Sequence, residues 1–177
     1  MNYLYHTVPE YIKGNFLMPH NELKKHYPRL YNKEIKKYQG RKLVMTKFIP
    51  PLNCKWNEVI HLTAVHPLKI KKAINKSGYS SFKTIKWYKI SPKFINPEKT
   101  TIYLNKFKKD LSQMNSSDQF ADFSPSKLNN YNQIPKRTIN DYKKEISKKR
   151  KPLIFRFIPH ILYKGKINIK NCEVIEV

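Results

Sequence analysis

The residues best equipped for chemistry lie together between positions 53 and 70, in the stretch NCKWNEVIHLTAVHPLKI. This stretch combines a thiol, an indole, an amide, a carboxylate and two imidazoles with apolar residues in a pattern typical of burial. The alternation from 58 to 65 predicts a strand with His61 and Thr63 on one face. Pro67 then starts a helix that we predict over 67–77. A strand that runs directly into a helix is a common place for a ligand, so His61 is a candidate catalytic residue.

Two further histidines lie at the ends of predicted strands. His6 is near the end of the strand predicted at 3–8, and His160 follows the apolar run LIFRFI at 153–158. Imidazole titrates near neutral pH and is the commonest general acid or base. We therefore expect His6, His61 and His160 to converge on one cleft. Two alternatives remain open: separate hydrogen-bonded histidines in the core, or hydrolytic or metal chemistry through His61, His66 and His160.

The positive charge of the chain predicts a polyanionic partner. Lys and Arg number 36 against 12 Asp and Glu, which gives a net charge of +24. Such a protein is suited to nucleic acid, because neutralised phosphates release counterions. The alternative is a compositional bias, since Asn, Ile, Tyr and Lys are all abundant, as expected of a genome poor in G and C. Candidate nucleic-acid contacts are Lys42, Lys86, Trp87, Lys148, Lys149 and Arg150, with Trp87 as a stacking platform for bases. The alternative for the strand of Trp87 is a sheet strand covered by a helix.

Length and composition predict one domain of the α+β class over 1–177. We predict helices at 28–38 and 67–77 and one from Thr138 to the KKRK cluster, and strands at 3–8, 58–65, 82–90, 100–104, 153–158, 167–169 and 173–177. Consecutive strands late in the chain favour a curved, mostly antiparallel mixed sheet with three to four helices. The Ser- and Asn-rich stretch 106–135 predicts a long loop or an insertion within this domain.

The sequence has no apolar run long enough to span a membrane and no secretory signal pattern at its start. We therefore expect a cytoplasmic protein that has no membrane partner. Cys54 and Cys172 are far apart in sequence and form no CxxC motif, so buried thiols are expected and no metal site is assigned.

The order of several motifs resembles the small ADP-ribosyltransferase fold, and in particular the bacterial toxins of that superfamily that modify DNA. These motifs are LYHTV, the basic helix and loop that follow it, VIHLTAVHP, TTIYL and LIFRFIPHILYKG. The phrases NCKWNEVIHLTAVHP and PHILYKG also resemble a family of uncharacterised small bacterial proteins, which carries no function over to this chain.

The resemblance implies an NAD-dependent enzyme that acts on nucleic acid. His6 would hold the nicotinamide ribose and Arg41 would orient the dinucleotide, while Thr7, Asn57 and His160 complete the candidate cofactor contacts. The family places a catalytic glutamate at the start of a late strand, but that strand here reads KPLIFRF. Glu145, one helical stretch earlier, is the catalytic candidate in its place. If no carboxylate serves, a non-catalytic nucleic-acid-binding module is the alternative function.

Overall fold

The computed structural model describes residues 2–10, 12, 14–40, 42–80, 83–106 and 116–177. Its α-helices are α1 (His20–His26), α2 (Pro28–Glu34), α3 (Pro67–Lys76) and α4 (Lys136–Ser147). Its strands are β1 (Leu4–Thr7), β2 (Phe16–Leu17), β3 (Phe48–Ile49), β4 (Cys54–Lys55), β5 (Ile60–Leu62), β6 (Lys86–Ile90), β7 (Thr100–Tyr103), β8 (Phe120–Asp122), β9 (His160–Tyr163), β10 (Ile167–Asn168) and β11 (Glu173–Glu176). The predicted α+β class is confirmed.

The strands form two larger sheets, with orders β1-β6-β11 and β5-β9-β7-β8, and two small pairs, β10-β2 and β3-β4. Every pairing among the described strands is antiparallel. The two larger sheets meet at Tyr5 and Thr63, whose main chains exchange hydrogen bonds of 2.8 and 3.0 Å. This link places the end of β1 beside β5, which is where the histidines of the two strands are found.

Helices α3 and α4 cover one face of the sheet β1-β6-β11. Ile70 and Ile74 of α3 pack with Tyr142 of α4 and with Trp87 of β6 in one buried cluster. Helix α3 follows the sequence prediction closely, because Pro67 occupies its first turn and Gly78, with a φ of 98°, follows its end. The amphipathic spacing of the two isoleucines then buries one side of the helix.

The opposite face of the same sheet packs on the four-stranded sheet. Leu4 and Ile90 from one sheet join Leu62, Ile102 and Ile161 from the other in the largest apolar cluster. Since side chains alternate along a strand, the residues between these positions face away from this cluster. The alternation therefore leaves His61 on the other side of β5.

The prediction of a strand over LIFRFI is wrong, because residues 154–157 form a turn. Carbonyl groups that a strand would offer to a neighbour are bound here by side chains. Asn105 donates through Nδ2 to the carbonyls of Phe155 and Ile158, both at 3.2 Å, and Thr138 Oγ1 donates to that of Arg156 at 2.9 Å. Phe157 has a φ of 60°, a left-handed value that a strand does not allow.

The stretch predicted as a long loop contains regular structure where it is described. Residues 107–115 lie outside the described residues, but β8 pairs with β7, and a 3₁₀ helix spans Pro125–Tyr131. Phe123 and Leu128 from this stretch are buried in the core, so these two apolar residues outweigh the turn-forming composition around them. Among the helices that the structure describes, none is both long and apolar enough to cross a membrane.

Candidate functional site

A cleft opens where β1 ends and β5 begins. The imidazoles of His6, His20 and His61 and the carboxylate of Glu34 line it together with apolar side chains. Its volume is about 60 Å³, enough for several water molecules or a small polar group. Three imidazoles and a carboxylate around one cleft supply hydrogen-bond acceptors and a possible general acid and base.

The sheet register brings His61 and His160 to the same face. His61 lies opposite Leu162 in the β5-β9 pair, and His160 is two residues before Leu162 on β9. Residues two apart on a strand share a face, so the two histidines are diagonal neighbours. Their ring centroids lie 6.1 Å apart, with the planes nearly perpendicular. Of the three histidines predicted to converge, His6 and His61 line one cleft, whereas His160 contacts His61 and is not among the residues of the lining.

Aromatic rings hold these two imidazoles in place. The Trp56 ring lies 4.6 Å from His61, and Tyr103 stacks parallel to His160 at 6.3 Å. His61 Nε2 lies 3.2 Å from the Trp56 carbonyl oxygen. Since a carbonyl only accepts, this nitrogen carries the proton, and Nδ1 of a neutral His61 has its lone pair available.

Burial keeps both imidazoles neutral. It lowers the pKa of His61 well below its usual value of 6.5, and the neighbouring His160, His20 and His6 lower it further. The hydrogen bond to the Trp56 carbonyl raises this pKa, but by less than burial lowers it. Burial also lowers the pKa of His160 to about 4. At neutral pH His61 is therefore available as a hydrogen-bond acceptor or a base, and not as a cation.

These pKa values predict a loss of stability in mild acid. Because the unfolded histidines take up protons near pH 6.5 and the folded ones do not, the free energy of unfolding should fall as the pH drops from 6.5 towards 4. At about 1.4 kcal/mol per pKa unit, His160 contributes at most about 3 kcal/mol to this fall. Urea denaturation at several pH values should show a weaker pH dependence for His160→Phe than for the wild type. His26→Gln serves as the control. If the pH dependence of His160→Phe were unchanged and equal to that of this control, the assignment would be contradicted.

The side chains of His6 and His20 are fixed by local contacts. His6 Nδ1 lies 2.6 Å from the Thr7 carbonyl oxygen, so Nδ1 carries the donated proton. His20 begins α1 and packs edge to face on Tyr38, with ring centroids 5.5 Å apart. Thr7 is not among the residues that line the cleft. It contributes to the site through its carbonyl group, which accepts the hydrogen bond from His6.

The structure does not bring Glu145 to the cleft. Both of its carboxylate oxygens accept hydrogen bonds from Arg150, at 2.6 and 2.8 Å. This pairing lowers the pKa of Glu145. The residue lines a separate depression on α4 with Asp141 and Arg156. The prediction of Glu145 as a catalytic residue is therefore wrong, because it came from chain order and the helix α4 lies on the far side of the sheet.

The carboxylate that does line the cleft is Glu34, at the end of α2, which sequence reasoning missed along with His20. Glu34 lies among lysines in a helix whose pattern indicated only an amphipathic surface. Helix α1 begins at His20, directly after Pro19. This helix start is the feature of the sequence from which His20 could have been recognised. Both residues reach the cleft through the packing of α1 and α2, which no local pattern encodes.

Two predicted cofactor contacts have different outcomes. Arg41 lies outside the described residues. Asn57 belongs to the 3₁₀ helix Trp56–Glu58, which packs against α1, and its Oδ1 is buried without a hydrogen-bond partner among the described residues. A buried acceptor that lacks a donor is costly, so Asn57 is a candidate for binding a donor group of a ligand. Val59, two residues further on, lines the cleft.

Trp87 is not a stacking platform for bases. The side chain is 1% exposed and lies beneath α3 and α4, with the Phe155 ring 5.9 Å away. The prediction failed because helices cover the face of β6 that carries the indole. Lys86 faces the opposite way, and its Nζ lies 3.0 Å from Oε1 of Glu176 on the neighbouring strand β11. The strand therefore offers little charge and no aromatic surface to a nucleic acid.

The remaining basic candidates lie beyond α4 or in the segment before β3. Lys148 and Lys149 are exposed, whereas Arg150 is engaged by Glu145. Lys42 begins the 3₁₀ helix Lys42–Thr46, and the placement of its side chain lies outside what the structure describes.

Metal and thiol chemistry find little support. His66 caps α3 by accepting the Leu68 N–H at 3.1 Å and packs on Tyr5, so it does not join His61. Among the described residues, no group of three or more His, Cys, Asp or Glu is arranged to hold a metal ion. Cys54 is buried, which raises the pKa of its thiol to about 11, and Cys172 is partly exposed with its pKa also raised by burial. Neither thiol is activated as a nucleophile.

No protein-family model, curated protein or solved structure matches this chain.

Proposed function

We propose that the protein is an ADP-ribosyltransferase-like enzyme whose cleft binds NAD and which transfers ADP-ribose to nucleic acid. The observation that carries the proposal is the convergence of His6 from β1 and His61 from β5 with Glu34 from α2. The motif order that resembles the transferases points to the same first-strand histidine. A neutral base and a carboxylate beside one small cavity are the groups that such a reaction needs.

The size of the cavity limits what can enter it. Pockets that enclose a drug-sized ligand measure about 300–1,000 Å³, whereas this cavity measures about 60 Å³. The fit is therefore to one end of a dinucleotide, with the rest of the molecule along the rim. NAD supplies an activated N-glycosidic bond to the ribose, and the residues of the cleft have to bind that ribose and exclude water from it.

Three polar residues of the cleft, His6, Glu34 and His61, have roles in this proposal. His6, whose Nδ1 donates to the Thr7 carbonyl, lies where its imidazole would contact the ribose. Glu34 lies where a carboxylate would stabilise positive charge that develops on the sugar as the glycosidic bond breaks. His61 takes the proton of the attacking hydroxyl or amine through its lone pair at Nδ1.

Incubation with NAD labelled in the adenosine portion tests the proposal. We expect transfer of the labelled ADP-ribose to DNA or RNA with release of nicotinamide, or hydrolysis to labelled ADP-ribose and nicotinamide when no acceptor is present. Calorimetric titration with NAD should also show binding, and the His61→Gln protein should lose turnover but keep its fold. Absence of both binding and turnover with wild-type protein at millimolar NAD would contradict the proposal.

A further inference from the structure

Basic residues of β6 and of helix α3 differ in their partners. Lys86 and Lys89 of the sheet β1-β6-β11 each pair with a glutamate of β11, at 3.0 and 2.7 Å. Helix α3, in contrast, has four lysines and no acidic residue. Its exposed Lys69, Lys72 and Lys76 are spaced by three and four residues and therefore form one stripe along the helix.

Helix α4 and the residues after it extend this basic surface. Its two carboxylates are occupied, since Asp141 pairs with Arg156 at 3.3 Å and Glu145 with Arg150 at 2.6 Å. Six lysines of this segment are exposed. They are Lys136, Lys143, Lys144, Lys148, Lys149 and Lys151.

The two helices present these lysines side by side. Both pack their apolar stripes into the cluster around Trp87, and Lys69 Nζ donates to the Asn132 carbonyl just before α4 at 3.1 Å. At 1.5 Å per residue, α3 and α4 are about 15 and 18 Å long. A duplex has one phosphate per 3.4 Å of each strand, so a surface of this length faces about five phosphates of one strand.

We infer that this surface, the α3–α4 basic face, binds the sugar–phosphate backbone of nucleic acid without reading its sequence. Lysine contacts phosphate as a point charge, whereas the bidentate contacts that read bases need arginine, and Arg150 and Arg156 are held by carboxylates. An anionic membrane fits less well, because membrane-surface helices insert their apolar stripe and here that stripe is buried.

The α3–α4 basic face and His6 belong to opposite faces of the sheet β1-β6-β11. The helices cover the face that carries Trp87, whereas His6 alternates with Tyr5 and lies on the other face. The inference does not depend on the chemistry of the cleft, and binding measured without NAD separates the two.

Two triple variants with the same change of charge test the inference. Lys72, Lys76 and Lys143 are replaced by Gln on the α3–α4 basic face, and the exposed Lys93, Lys99 and Lys127 are replaced by Gln elsewhere as the control. Fluorescence anisotropy with a labelled 25-base-pair duplex of random sequence is measured against NaCl concentration. Thermal melting of each variant confirms that the fold is retained.

The expected result is a steep salt dependence for the wild type and a shallower one for the first variant. Each lost phosphate contact reduces the slope of log K against log salt by about 0.9, so the first triple should reduce it by about 2 to 3 and weaken binding about tenfold or more. The control triple should reduce the slope by less than about 1. Equal losses in both variants would overturn the inference in favour of a diffuse charge effect, as would binding to vesicles of anionic lipid without binding to the duplex.

Discussion

Replacement of His61 by Gln is expected to lower the kcat of NAD cleavage or transfer by about 100-fold or more, the usual contribution of a general base. Gln keeps an amide donor within reach of the Trp56 carbonyl but has no group that takes up a proton, so the fold should persist while the chemistry fails. The loss should appear in kcat and leave KM nearly unchanged, because the group acts on the reacting atoms. Steady-state kinetics with labelled NAD measure both constants.

A matched control comes from His66. The variant His66→Asn removes an imidazole too, but Asn caps helices well and should replace the acceptor for the Leu68 N–H. This variant should keep wild-type kcat. A comparable loss of kcat in both histidine variants would assign the effect to stability rather than to the cleft.

The same experiment distinguishes the two glutamates. Glu34→Gln should lower kcat strongly, since Glu34 lines the cleft, whereas Glu145→Gln should not, since Glu145 binds Arg150 on the surface of α4. The second variant loses only the ion pair with Arg150, which is screened by solvent and should matter little to stability. The opposite ranking would restore the carboxylate assignment made from chain order.

Replacement of Trp87 by Ala is expected to lower the free energy of unfolding by about 3–5 kcal/mol, the usual cost of emptying a buried aromatic site. The indole lies 1% exposed between the sheet and the two helices, where it meets Phe155 and the isoleucines of α3. Trp87→Phe should cost less, because it leaves a smaller cavity and removes an indole N–H that is buried without an acceptor among the described residues. Urea denaturation measures both variants.

Nucleic-acid affinity gives the second readout for Trp87. Because the side chain does not reach the surface, Trp87→Phe should bind the duplex as tightly as the wild type when both are folded. A large loss of affinity in a stable Trp87→Phe protein would indicate base stacking and contradict the buried placement.

The sequence predicted the elements whose boundaries are set locally. Pro67 and Gly78 delimit α3, and the alternation around His61 separates the apolar side of β5 from its polar side. Proline, glycine and side-chain periodicity act over a few residues, so they can be recognised without a neighbouring element.

The sequence did not predict what depends on contacts between distant segments. The run LIFRFI has a strand-like composition, but Asn105 and Thr138 bind its carbonyl groups and hold it in a turn. For Trp87 the sequence leaves two interpretations open, a stacking platform or a strand covered by a helix, and only the packing of α3 and α4 on β6 decides between them. Glu34 reaches the cleft only through the docking of α2, and so the carboxylate of the candidate site was assigned to the wrong helix.

The central claim is that histidines distant in sequence form one binding cleft, and a nuclear magnetic resonance titration tests it most directly. Protein with isotope-labelled histidine is titrated with NAD, and the imidazole resonances are assigned by single replacements. The resonances of His6, His20 and His61 should shift together and give one dissociation constant, whereas that of His66, which caps α3 and does not line the cleft, should not move. The claim would be contradicted if NAD left the resonances of His6, His20 and His61 unchanged, or if it shifted the resonance of His66 by as much as theirs.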